Sequence, residues 1–205
     1  MKKRLYIPAL LLLMISVLGC STNREPIFQV APTELFGGEA AKFKGFMEHA
    51  GAVNVQYRGQ KESIQLMAEV WVNGELQEVH SQLGGFLTQD AGNSLRSWEG
   101  EVIISINKTT NDEDHTQYHT KSVFYNESGH VGYEYTFDAM EAHAAFASIL
   151  MHQEQSISPE DGEVAIWGLQ ANSQSVLHTV DLSPEQLEKT NWAVIYKLIA
   201  TDSDL

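Results

Sequence analysis

From Ala52 onward, apolar and polar residues alternate with the period of two that marks a half-buried strand. Val53, Val55 and Tyr57 alternate with Asn54, Gln56 and Arg58, and Gly59 then predicts a turn. Residues 63–72 give the clearest strand: Ile64, Leu66, Ala68, Val70 and Val72 take one face, and Gln65, Met67, Glu69 and Trp71 the other. Asn73-Gly74 follows, a strong short-range hairpin signal. A two-residue turn pairs Trp71 with Leu76 and Ala68 with Val79, but it also sets Glu69 against Glu78. Like charges in direct opposition destabilise a ladder, so the hairpin is expected and its register stays open.

The pattern continues through residues 98–107, where Val102, Ile104 and Ile106 share a face. Residues 117–125 and 131–137 predict a second hairpin joined by Asn126–His130, and residues 164–170 and 176–181 predict two more strands. Residues 192–200 are apolar on both faces, which marks a central strand covered on both sides. The exceptions are few. Residues 139–153 favour helix, with Met140, Ala144, Ala147 and Leu150 on one helical face, although Ala144, Phe146, Ser148 and Leu150 also alternate. Ser183-Pro184-Glu185-Gln186 has the form of a capping box with proline at the first helical position, so one or two helical turns follow. Gly84-Gly85 and residues 88–97 read as loop, and residues 107–116 as a charged loop. About nine strands with one or two short helices point to a mainly β chain, an antiparallel β-sandwich or an open barrel.

The first twenty residues follow another logic. Lys2, Lys3 and Arg4 form a basic n-region, and residues 5–18 form an apolar stretch interrupted by Pro8. That stretch is shorter than the roughly 20 residues a transmembrane helix needs. Val17-Leu18-Gly19-Cys20 then resembles the lipobox of a bacterial lipoprotein with a type II signal peptide. The resemblance implies cleavage before Cys20 and a diacylglyceryl group on its sulfur. It also implies a domain held outside the cytoplasm on the cell membrane or outer membrane. Beyond Cys20 the chain resembles only uncharacterised bacterial lipoproteins, which implies an address and no mechanism. Cys20 is the only cysteine, so no disulfide can form within the chain. On this reading residues 1–19 are the signal, residues 20–34 a lipidated N-terminus and tether, and residues 35–205 one β-rich domain. Phe28 and Val30 offer an alternative inside the tether, as a first edge strand.

Charge narrows the partners. Three of the thirteen basic residues lie in residues 1–19, leaving ten against twenty-seven acids, a mature net charge of −17. Such a surface argues against nucleic acid and against electrostatic docking to anionic lipid, so the lipid is the expected source of membrane attachment.

Candidate chemistry is sparse. His115 and His119 lie four apart beside Asp112, Glu113 and Asp114 and are the candidate metal ligands, although their spacing fits no zinc motif. The acidic loop lacks the central glycine of a calcium-binding EF-hand loop. No Gly-x-Ser-x-Gly elbow and no phosphate-binding glycine loop occurs, so no catalytic residue and no cofactor is assigned. Trp71 and Trp98, each among polar neighbours, are the candidate ligand-binding aromatics. Three readings follow: a noncatalytic, lipid-anchored adaptor or sensor that binds another envelope protein; a glycan- or peptide-binding lipoprotein using the tryptophans; and a metal-dependent envelope enzyme using the histidines. The first is preferred.

Overall fold

A strand buries one face when a second apolar face is available to cover it, and here two sheets cover each other. The computed structural model describes residues 25–89, 94–110, 116–138, 145–172, 182–188 and 190–202. The strands are β1 (Ile27–Thr33), β2 (His49–Gly59), β3 (Ser63–Val72), β4 (Glu75–Phe86), β5 (Thr88–Gln89) and β6 (Arg96–Thr110). They continue with β7 (Thr116–Asn126), β8 (Gly129–Asp138), β9 (Ala145–Leu150), β10 (Gln155–Ile157), β11 (Glu163–Asn172) and β12 (Trp192–Thr201). A seven-stranded sheet runs β10-β1-β2-β6-β7-β8, with β5 also paired to β6, and a five-stranded sheet runs β4-β3-β12-β11-β9. Every pairing among them is antiparallel, and the two sheets form a β-sandwich.

One apolar cluster lies between the layers. The seven-stranded sheet supplies Phe28, Val30, Val53, Val55, Val102, Ile104 and Ile106; the five-stranded sheet answers with Ile64, Leu66, Val164, Ile166, Leu169, Val194 and Leu198. Full burial of each such side chain contributes about 1.5–3 kcal/mol, so this layer dominates stability. Trp167 of β11 reaches across to β2, where Gly51 leaves room for its indole; a Cβ at that position would overlap the ring. One group of buried hydroxyls between the layers is partnered. Tyr196, fully buried, shares a hydrogen bond with Thr120, and the Tyr135 hydroxyl donates to Tyr196 Oη at 3.0 Å. Burial pushes the Tyr196 phenol up to about 12.

The doubly apolar strand of the sequence is β12, central in its sheet between β3 and β11. Its outward Ala193 and Ile195 pack with Ile149 and with Leu187 of a short helix, α1 (Pro184–Leu187). Helix α1 forms where the Ser-Pro-Glu-Gln capping pattern predicts it, with the Leu187 N–H donating to the Ser183 carbonyl at 3.2 Å. A 3₁₀ helix (Gly38–Phe46) links β1 to β2 and buries none of its residues.

Several expectations change. Residues 27–33 are strand and sit between β10 and β2, so the tether gives way to sheet at Ile27 and β1 is no edge. Phe28 and Val30 drive this, since both are wholly covered by the opposite sheet. The helix expected over residues 139–153 is strand β9 over Ala145–Leu150, and residues 151–153 are neither helix nor strand. A ladder from Trp167↔Leu150 to Asn172↔Ala145 overrides the intrinsic helical preference of alanine. Residues 139–144 and the strand expected over 176–181 lie outside the described residues. Gly84-Gly85 falls inside β4, and residues 88–89 pair with β6.

The Asn73-Gly74 hairpin resolves its own conflict. Asn73 (φ 50°) and Gly74 (φ 80°) both take the left-handed backbone of a type I′ turn, and Trp71 faces Leu76 as expected. A β-bulge then places Gln77 as an extra residue, so Val70 faces Glu78 and Glu69 faces Val79. The two carboxylates no longer oppose each other.

Candidate binding face

The outer face of the seven-stranded sheet is built by the positions that alternate with the core. On β6 these are Glu99 and Glu101, on β2 Asn54 and Gln56, on β1 Gln29 and Ala31. Register aligns them in rows across the sheet: Gln29, Gln56 and Glu99 in one, Ala31, Asn54, Glu101 and Tyr125 in the next. The rows line a groove of about 820 Å³, closed at its rim by Glu127 of the β7–β8 turn and by Glu154. Tyr125 stands 53% exposed at this rim.

The groove offers acceptors and no cation. Glu99, Glu101, Glu127 and Glu154 line it, and among the described residues neither Lys nor Arg does. Gln29 donates to Glu154, tying β1 to the segment before β10. Burial pushes the Glu101 carboxyl above its ordinary value. Gly100 lies in the groove's lining, where an added Cβ would run into the Tyr125 carbonyl oxygen and come within 2.8 Å of the Trp98 ring. Such a site suits a ligand rich in N–H or O–H donors, with the Tyr125 ring as a stacking surface.

The structure separates the candidate residues of the sequence. Trp98 points inward, 5% exposed, edge-on to Phe124 at 5.8 Å between ring centroids. Its indole is therefore covered and turned away from the outer face that a ligand-binding role needs. It shares the parity of Val102, Ile104 and Ile106, and that periodicity outweighs its polar neighbours. Trp71 is outward as expected but half-buried, packed beside Ile149, Leu187, Ala193 and Ile195, with its indole N–H donating to Glu69 at 3.1 Å. The two tryptophans lie on opposite sheets and share no site.

His119 lies on the outer face of β7, with its Nε2 3.5 Å from Glu134, whose carboxylate also takes Lys121 at 2.6 Å. Lys121 holds the Glu134 carboxyl below its ordinary value, and its ammonium stands where a metal cation would be repelled. Among the described residues no three metal-ligating side chains converge. His115 and Cys20 lie outside the described residues.

The groove residues Tyr125, Glu101, Asn54 and Gln56 escaped sequence reasoning because none is unusual alone. The usable signal was their shared parity opposite Val53, Val55, Val102 and Phe124. Compared with known protein families, curated proteins and solved structures, the chain matches none.

Proposed function

We propose that the chain is a lipid-anchored protein of the cell envelope whose sandwich is a noncatalytic binding domain, with the outer groove of the seven-stranded sheet as its binding face. The observation that carries this reading is the bare groove itself: a donor-accepting concavity beside an exposed tyrosine. Attachment rests on the lipobox-like run ending at Cys20. With a net charge of −17 on the mature chain, the lipid rather than surface charge supplies attachment. About two acyl chains suffice for stable anchoring, which a diacylglyceryl group provides. Cys20→Ser is expected to release the protein from membranes and to remove a lipid-sized mass; unchanged fractionation with no lipid mass in the wild type contradicts the anchor.

Within this reading the preferred occupant is another envelope protein. A glycan is the second reading, favoured by Tyr125 flanked by amide and carboxylate groups and no longer by Trp98, whose indole is covered. Glycan arrays probed with wild type, Tyr125→Ala and Trp71→Ala separate the two. Binding lost only in Tyr125→Ala supports the glycan at the groove, and an unreactive array favours the protein partner.

A further inference from the structure

On one side of the sandwich the sheets meet through side chains. β4 and β8 are the outer strands of their respective sheets there, and each is paired on its other side only, to β3 and β7. The bulge at Gln77 decides what β4 presents to this seam. Without it Val79 would face Ala68; with it His80 does, on the inward face. The imidazole stacks on the Tyr135 ring of β8, with centroids 4.9 Å apart and planes 26° from parallel. Glu78 lies on the same face of β4, its Oε2 2.9 Å from His80 Nε2. Tyr135 is fixed from behind by its bond to Tyr196 of β12, which is held in turn by Thr120 of β7.

We propose that His80, Glu78 and Tyr135 form a proton-operated clasp between β4 and β8, tight when His80 is an imidazolium and loose when it is neutral. An imidazolium over a phenol face gains a cation–π attraction, and its contact with Glu78 becomes an ion pair. A neutral imidazole keeps the ring stack and loses both. Histidine is the side chain whose charge ordinarily changes between pH 5 and 8. Facing the ring are Glu78 from β4, Ala68 from β3 and Tyr135 from β8, with Thr120 of β7 and Tyr196 of β12 behind; Tyr133 shares the inward side of β8. Within that set only Glu78 carries charge at neutral pH. Burial pushes the phenols of Tyr133, Tyr135 and Tyr196 upward, so they stay neutral between pH 5 and 8. Loosening the clasp frees two sheet edges and opens the way to the buried hydroxyls between the layers.

Amide hydrogen exchange on the full chain tests this, read over residues 75–81 and 129–138 at pH 5.5 and pH 8 and corrected for intrinsic rates. The wild type is expected to exchange about three- to tenfold more slowly at pH 5.5 in both segments. In the His49→Phe background, His80→Phe retains a stacking ring and should exchange equally at both pH values over residues 75–81, while Glu78→Gln should shrink the difference. His49, on β2, acts globally and with the opposite sign, so each variant is also measured with His49→Phe. Equal corrected exchange in the wild type with His49→Phe overturns the clasp, as does a full pH difference that survives His80→Phe.

Discussion

The two outer faces of the sandwich are built from similar strands and end in opposite states. On the five-stranded sheet, Ala193 and Ile195 are fully buried beneath Leu187, and even the ion pair there is sheltered. Lys197 reaches Glu69 at 2.8 Å and Glu163 at 3.3 Å, with little of Glu69 exposed. On the seven-stranded sheet, Glu99, Glu101, Asn54 and Tyr125 meet solvent across a groove, and the pair Lys121–Glu134 is open to water. One face is covered by its own chain and the other stays open to solvent. The cause lies in the connections: the segment before β12 folds back as α1 over its own sheet, and among the described residues no comparable segment covers β1, β2 and β6.

The largest expected asymmetry is in core-like packing. Ile195→Ala should lower unfolding stability by about 2–4 kcal/mol in urea titrations, since a buried isoleucine leaves a cavity. Tyr125→Ala should stay within about 0.5 kcal/mol, as exposed substitutions do. Comparable losses would erase the distinction between the faces.

Next come the ion pairs. Glu69→Ala leaves Lys197 with Glu163 alone and strands the Trp71 N–H in a sheltered site, and should cost about 1–2 kcal/mol. Lys121→Ala, on the open face, should leave the midpoint where it is. Burial alone would lower the Lys197 ammonium, but Glu69 and Glu163 outweigh it and hold it above its ordinary value. A raised folded value means the stabilisation is full below the unfolded value near pH 10.5 and is lost as pH rises through the folded one. Alkaline titration of wild type against Glu69→Ala should show a larger loss in the wild type, since the variant keeps only Glu163.

Gly74→Ala should follow at about 1–2 kcal/mol. It strains a φ of 80° and drives a Cβ against the Glu188 carbonyl, prising the β3–β4 hairpin from the covered face.

The smallest effect concerns His49, half-buried beside Phe146 with ring centroids 5.8 Å apart. Burial lowers its folded value despite Glu48 nearby. The unfolded chain therefore binds the proton first, and stability falls as pH drops below about 6.5. His49→Phe should flatten that acid limb; a limb of unchanged slope would place the titration elsewhere.

Much of this architecture is legible in the sequence where one period dominates. The inward face of β3 and the doubly covered β12 follow from residue pattern alone, as do the turn at Asn73-Gly74 and the helical start at Ser183. What escapes depends on partners far along the chain. Whether residues 145–150 coil or extend is decided by a ladder to β11, and whether Phe28 is tether or core is decided by the opposite sheet. The bulge at Gln77 is hinted at by the clash of Glu69 with Glu78, yet its position needs the ladder. The groove was least legible, because polar residues on an open strand face look alike whether or not they line a concavity. Parity would have turned Trp98 inward had its polar neighbours been given less weight.

The central claim, that the open face is the binding face, is tested most directly by photo-cross-linking in intact cells. A benzophenone amino acid replaces Tyr125 at the groove or Val79, half exposed on β4 of the other sheet. The account predicts a discrete adduct from position 125, absent from position 79 and abolished when Glu101→Arg places a cation in the groove. Adducts of equal yield at both positions, or an adduct at 125 indifferent to Glu101→Arg, would contradict it.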